Sequence, residues 1–194
     1  LAKTATYKHN PLTTTNTIMK KTLKSVSVNY GIYLGLALAA ITILIYAVKI
    51  ELFTAWWLGI LLIVMIMGFG LAAALKSKAL LGGFMSFKEA FTAYFITIAL
   101  GTVISTVVGI VIFNLVDPDS AQYINEKIIE ITAETMENWG APQASINETI
   151  AKMQEQDNFS IGAQIQSYFV RLVILSLLGL IVAVAVKKND PNEA

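Results

Sequence analysis

The stretch that most constrains this chain runs from Gly82 to Asp117, GGFMSFKEAFTAYFITIALGTVISTVVGIVIFNLVD. Gly82-Gly83 breaks whatever precedes it. Ser86 followed by Glu89 has the spacing of a capping box, in which each side chain satisfies the other's orphan backbone N–H. From Phe87 the pattern predicts a helix to about Leu115, roughly 43 Å long at 1.5 Å per residue. That exceeds a hydrocarbon core of about 30 Å, so Lys88 and Glu89 stand in the headgroup layer and the rest crosses it. Ala93, Thr97, Gly101, Ser105 and Gly109 recur at every fourth position. Lipid tails offer helices no hydrophobic reason to associate, so close backbone contact along small residues must hold them together. This stripe is the expected packing face.

Composition says the same of the whole chain. Of 194 residues, 56% are hydrophobic and 14% charged, against about 25% charged in an ordinary soluble domain. The excess apolar surface must face lipid. There is no cysteine, which removes disulfides, thiolate nucleophiles and zinc–thiolate sites together. The one histidine, His9, lies in a polar N-terminal segment, and the net charge of +1 carries no field that would attract nucleic acid.

Residues 1–18 are polar, Thr-rich and aperiodic, and read as a disordered tail. The first methionine, Met19, opens MKKTLK, and translation is expected to begin there; native protein whose N-terminus read Ala2 or Lys3 would refute this. Residues 19–188 form one membrane domain with spans at about 30–48, 53–75, 87–115 and 161–186. The first follows Lys20, Lys21 and Lys24, as a signal peptide's apolar region would. It is longer than such a region and no small-x-small site leads into a soluble domain, so it reads as an uncleaved span with Gly31, Gly35 and Ala39 on one face. The second carries Phe53, Trp56 and Trp57 at one end as interface anchors, and Gly68 with Ala72 as a small patch near the other. Phe84, Phe87, Phe91, Tyr94 and Phe95 crowd the start of the third as a packing or interfacial collar. Between the third and fourth spans, residues 117–160 read as an amphipathic helical hairpin. One helix covers Ser120–Asn138 and is ended by Trp139-Gly140-Ala141-Pro142. A shorter one, with capping-box spacing at Ser145 and Glu148, reaches about Gln156. Residues 189–194 are a polar tail.

Charge orders these elements. With four crossings, Lys20, Lys21, Lys24, Lys76, Lys78, Lys88, Lys187 and Lys188 fall on one side. The other side receives Lys49, Lys127, Lys152 and nine acidic residues between Asp117 and Asp157. The positive-inside bias then puts both termini in the cytoplasm and the acidic hairpin on the outside. The fold class expected is an all-α, integral membrane four-helix bundle with an extracytoplasmic helical hairpin.

Catalytic chemistry is hard to find in this chain. No Asp, Glu, Lys or His falls within the spans below the headgroup layer, whereas proton relays and ion pathways are built from such residues. Arg171, about a turn into the most apolar part of the fourth span, is the exception; it reads as an interface anchor that snorkels outward or pairs with a hairpin carboxylate. Asn114 reads as an interfacial hydrogen-bonding residue. Thr92, Thr97, Thr102, Ser105 and Thr106 are able to bond their own helix backbone and need not line a pore. The glutamates of the hairpin are spaced as a solvated helix face, without the ligand pattern of a calcium loop. No phosphate-binding loop, dinucleotide fingerprint, metalloprotease or hydrolase motif occurs. No catalytic, cofactor-binding or metal-ligating residue is therefore expected.

One resemblance emerges from the combination of Gly82, Gly83, Ser86, Phe87, Ala90 and Phe91 with the Met-Glu-x-x-Gly-Ala hairpin, the Ala/Lys/Met/Glu-rich helix up to Gln156, and the terminal Lys-Lys. Over about Met19–Lys188 the chain resembles the domain-of-unknown-function family numbered 4199, small four-pass membrane proteins of Bacteroidetes. It departs from that pattern at KSKALL after the second span, where the family is more charged. The resemblance implies an inner-membrane protein with a periplasmic hairpin and brings no activity with it. The expected role is a non-enzymatic interaction or scaffold component, its partners the lipid bilayer and either a second copy or another membrane protein. The alternative is a small transporter or channel subunit.

Overall fold

The computed structural model describes residues 11–188, with side chains from residue 21 onward. Six helices follow one another: α1 (Pro11–Val48), α2 (Trp56–Leu80), α3 (Phe87–Ile110), α4 (Pro118–Asn138), α5 (Gln143–Glu155) and α6 (Ile161–Val186), with a 3₁₀ turn at Ile50–Thr54 and a π-helical extension of α3 at Val111–Val116. Residues 11–18, expected as tail, are helical and continuous with α1; residues 1–10, with His9, and the tail at 189–194 lie outside the described residues. Four segments are long and apolar enough to cross a membrane: Lys21–Val48, Trp56–Leu80, Phe87–Val116 and Ile161–Val186. Only 22–33% of the most apolar window of each is buried within the protein, so most of its apolar surface is left for lipid.

The punctuation is chemical. Ser86 and Glu89 form the expected capping box, Ser86 Oγ accepting from Glu89 N at 3.3 Å and Glu89 Oε2 from Ser86 N at 2.9 Å. α2 ends in a Schellman arrangement, in which Gly83 N–H reaches back to the Lys78 carbonyl at 2.9 Å while Gly82 takes φ +81°; only glycine adopts that angle without strain. α4 ends in the same way, Ala141 N–H donating to Met136 O around Gly140 at φ +74°. The capping box expected at Ser145 and Glu148 does not form. α5 starts three residues earlier, after Pro142, so Ser145 sits within the first turn and Glu148 pairs with Lys152 instead.

α3 is the main packing partner of each of the other three spans. Its buried surface is two adjacent rows, Ala93–Thr97–Gly101 and Ala90–Tyr94–Ile98–Thr102. On the first row α1 comes very close: a Cβ on Gly101 would lie 2.6 Å from Leu34 Cγ, and one on Gly35 2.6 Å from Ile104 Cδ1. Thr97 Oγ1 donates to its own helix at Ala93 O (2.9 Å) and across the gap to Ser27 O of α1 (3.1 Å). The second row faces α2 and α6. Tyr94, expected in the aromatic collar, is fully buried between Gly70 of α2 and Gly179 of α6, where an added Cβ would meet the ring at 2.5 Å on either side. Its hydroxyl donates to Leu175 O at 3.1 Å. The packing face of α2 is therefore Ile66, Gly70, Ala73, Ala74 and Ser77; Gly68, expected to pack, meets nothing and is exposed. Two residues on a helix are about 200° apart, so choosing one glycine over the other turns the helix to its opposite face.

Candidate functional site

At the end of the bundle opposite the Lys187-Lys188 exit, α3 passes into π-helical geometry, with Asp117 N–H donating to Ile112 O at 2.8 Å, and the chain turns into α4. Asp117 caps α4: its carboxylate accepts from Ser120 N (3.1 Å), Ser120 Oγ (2.6 Å) and Tyr46 Oη of α1 (3.0 Å). Hydrogen bonds that stabilise the charged form, the Ser120 hydroxyl first and its N–H next, hold this carboxyl below the usual range. Beneath α4 lies a second small core of Ile112, Phe113, Ala121 and Ile124. Phe113 sits at its centre, edge-to-face with Phe53 of the 3₁₀ turn (5.5 Å) and Phe159 of the α5–α6 loop (5.2 Å). The hairpin is thus seated on the bundle by an aromatic cluster and a shared carboxylate.

Several concavities flank this seat. The first, about 830 Å³, opens between α4, α5 and the loop after α5. Phe113, Ile129, Ile150 and Phe159 supply its apolar part, and Glu126, Glu130, Glu155 and Asp157 its acidic rim. Asn114 also lines it, and its Nδ2 is buried without a hydrogen-bond partner among the described residues. Glu130 is drawn to Lys127 at 2.5 Å and Glu148 to Lys152 at 2.7 Å, both pairs well exposed, where such contacts contribute little. Among the described residues no three His, Asp or Glu side chains converge as a metal site. The second concavity, about 720 Å³, runs between α2 and α6 and holds Arg171.

The residues singled out from the sequence are distributed as follows. Ala93, Thr97 and Gly101 are buried together on α3; Ser105 and Gly109 are half-buried farther along, and a Cβ on Gly109 would approach only Gln164 Oε1, at 3.5 Å. Trp56 and Trp57 begin α2, 78% and 47% exposed. Arg171 forms no ion pair with any described carboxylate. Two features escaped sequence reasoning. Tyr94 was hidden among four neighbouring phenylalanines, although its hydroxyl, a poor fit to lipid without an acceptor, is the signal that marks it. The aromatic seat draws its rings from three segments that no periodicity links.

Four apolar helices around a filled centre, capped at one end by a helical hairpin, define a four-pass α-helical membrane protein. The family described as "Protein of unknown function (DUF4199)" matches residues 29–188. The chain belongs to that family. No curated protein and no solved structure matches it.

Proposed function

We propose that this protein is a non-enzymatic inner-membrane component that works by binding another protein through its α4–α5 hairpin, both of its termini lying in the cytoplasm. The observation that carries the reading is the cleft between α4 and α5. An apolar floor inside a charged rim is the layout of an interaction surface, and this rim is acidic, which suits a partner presenting basic side chains around an apolar anchor. The orientation is supported by the lysines gathered at the opposite end of the bundle. The absence of cysteine and of any histidine beyond His9 leaves few groups for nucleophilic or acid–base chemistry. A photocrosslinking residue replacing Ile129 in native membranes tests the reading. A discrete adduct with a second polypeptide, or with a second copy, is expected there and not at Leu177, which faces away from the bundle. Adducts only with lipid at both positions would overturn it. Solute flux through liposomes carrying the purified protein, above that of empty ones, would instead favour the transporter or channel alternative.

A further inference from the structure

We infer that the groove between α2 and α6 seats a phospholipid, its phosphodiester on Arg171 and an acyl chain along Ile63, Ile174 and Leu178. This site is separate from the hairpin cleft and meets it only at Gln156 and Asp157. The first argument is depth. From Val186, beside the Lys187-Lys188 exit, Arg171 lies fifteen residues back along α6, roughly 22 Å at 1.5 Å per residue. In a hydrocarbon layer of about 30 Å its Cα is then roughly 8 Å short of the far boundary. Side chains on a helix lean toward its N-terminus, which for α6 is that same boundary, so an extended arginine delivers its guanidinium to the level of phospholipid phosphates.

The second argument is the missing counter-charge. A guanidinium within a span is costly unless an anion meets it, and among the described residues Arg171 has no ion pair; Asp157, which shares the groove, does not reach it and turns Oδ1 to the Phe159 and Ser160 N–H groups. The third is the groove's polarity. Above Arg171 the walls are Gln156, Asn158, Gln166 and Ser167; below it they are Ile63, Ile174, Leu175 and Leu178. That order, polar to cationic to apolar, matches the headgroup, phosphate and tail of a phospholipid. A guanidinium also holds a phosphate with two parallel N–H···O bonds, which a lysine does not.

The test uses the full chain, washed free of lipid in a neutral maltoside detergent and titrated with dioleoylphosphatidylglycerol under native mass spectrometry. Wild type is expected to keep one phospholipid at collision energies that strip the rest. Arg171→Gln should lower that adduct at least about tenfold, the equilibrium equivalent of one charge-assisted hydrogen bond. Lys188→Gln should leave it unchanged. Ile174→Trp, at an exposed position within the groove, should block it with Arg171 intact, which keeps the proposal testable if Arg171→Gln fails to fold. Dioleoylglycerol, lacking the phosphate, should bind wild type and Arg171→Gln equally weakly. Retention of the adduct by folded Arg171→Gln, dioleoylglycerol binding as well as the phospholipid, or displacement of the lipid by millimolar inorganic phosphate would each overturn the proposal.

Discussion

Gly101 and Gly109 belong to the same row of α3 and have opposite surroundings. A methyl on Gly101 drives into Leu34, itself fully buried, whereas one on Gly109 makes only an ordinary contact with the end of the Gln164 side chain. Gly101→Ala is therefore expected to destabilise the bundle by about 1–3 kcal/mol, the usual cost of overpacking, and Gly109→Ala by no more than about 0.5 kcal/mol; melting in detergent compares them. Gly101→Leu should prevent assembly, while Leu100→Ile should not. Ser77 makes the contrary case. Its Oγ is buried without a partner among the described residues, a situation that costs about 1–3 kcal/mol, so Ser77→Ala should raise the melting temperature. Tyr94 is the residue most exposed to damage by substitution. Tyr94→Ala would empty the space between Gly70 and Gly179 and forgo a cross-helix hydrogen bond, with an expected loss of about 3–5 kcal/mol.

Among the elements, α4 depends most on a single ionised group. Asp117 has a carboxyl value below its ordinary one, so its contribution is fully present above the unfolded value, about 4. It is lost as pH falls through the lower folded value. Amide protection over Ser120–Ile124, corrected for the intrinsic slowing of exchange in acid, should fall on acidification through that window, and Asp117→Asn should remove the pH dependence; unchanged protection in the wild type would show that the aromatic seat alone holds α4. The spans, the Gly-Gly turn and the α3 cap were legible because each is written in contiguous residues: an apolar run, a glycine pair, a serine three before a glutamate. What stayed hidden depends on distant partners. Whether Gly68 or Gly70 faces inward is decided by Tyr94 two dozen residues later. Ser145 is a local exception: Pro142, three residues before it, already opens α5, which the capping-box spacing alone does not show. The Phe53–Phe113–Phe159 seat joins segments some fifty residues apart, and no local pattern announces it.

At the scale of the molecule, the lack of cysteine makes sidedness directly measurable. Trp139, 83% exposed at the hairpin tip, and Lys188 at the far end of α6 lie at opposite ends of the bundle. Trp139→Cys should react with an impermeant maleimide only from outside the cell, and Lys188→Cys only after the membrane is opened. The reverse pattern would invert the proposed orientation without disturbing the fold.

The exit of α6 has a consequence of its own. Met85 and Lys188 exchange both backbone hydrogen bonds (2.8 and 2.9 Å), Lys78 Nζ holds Val186 O at 2.6 Å, and the Lys188 ammonium rests over the Phe84 ring. These contacts fasten the last helix to a loop that leaves the ribosome about a hundred residues before it. Until that clasp arrives, Met85 offers an open edge, and α6 is held to α3 only farther along, by the Tyr94 ring against Gly179 and the hydrogen bonds of Tyr94 to Leu175 O and Tyr168 to Ala99 O. The fold is a circuit closed at Lys187-Lys188, and a chain cut just after Val186 would keep every span yet leave that end of α6 unclasped.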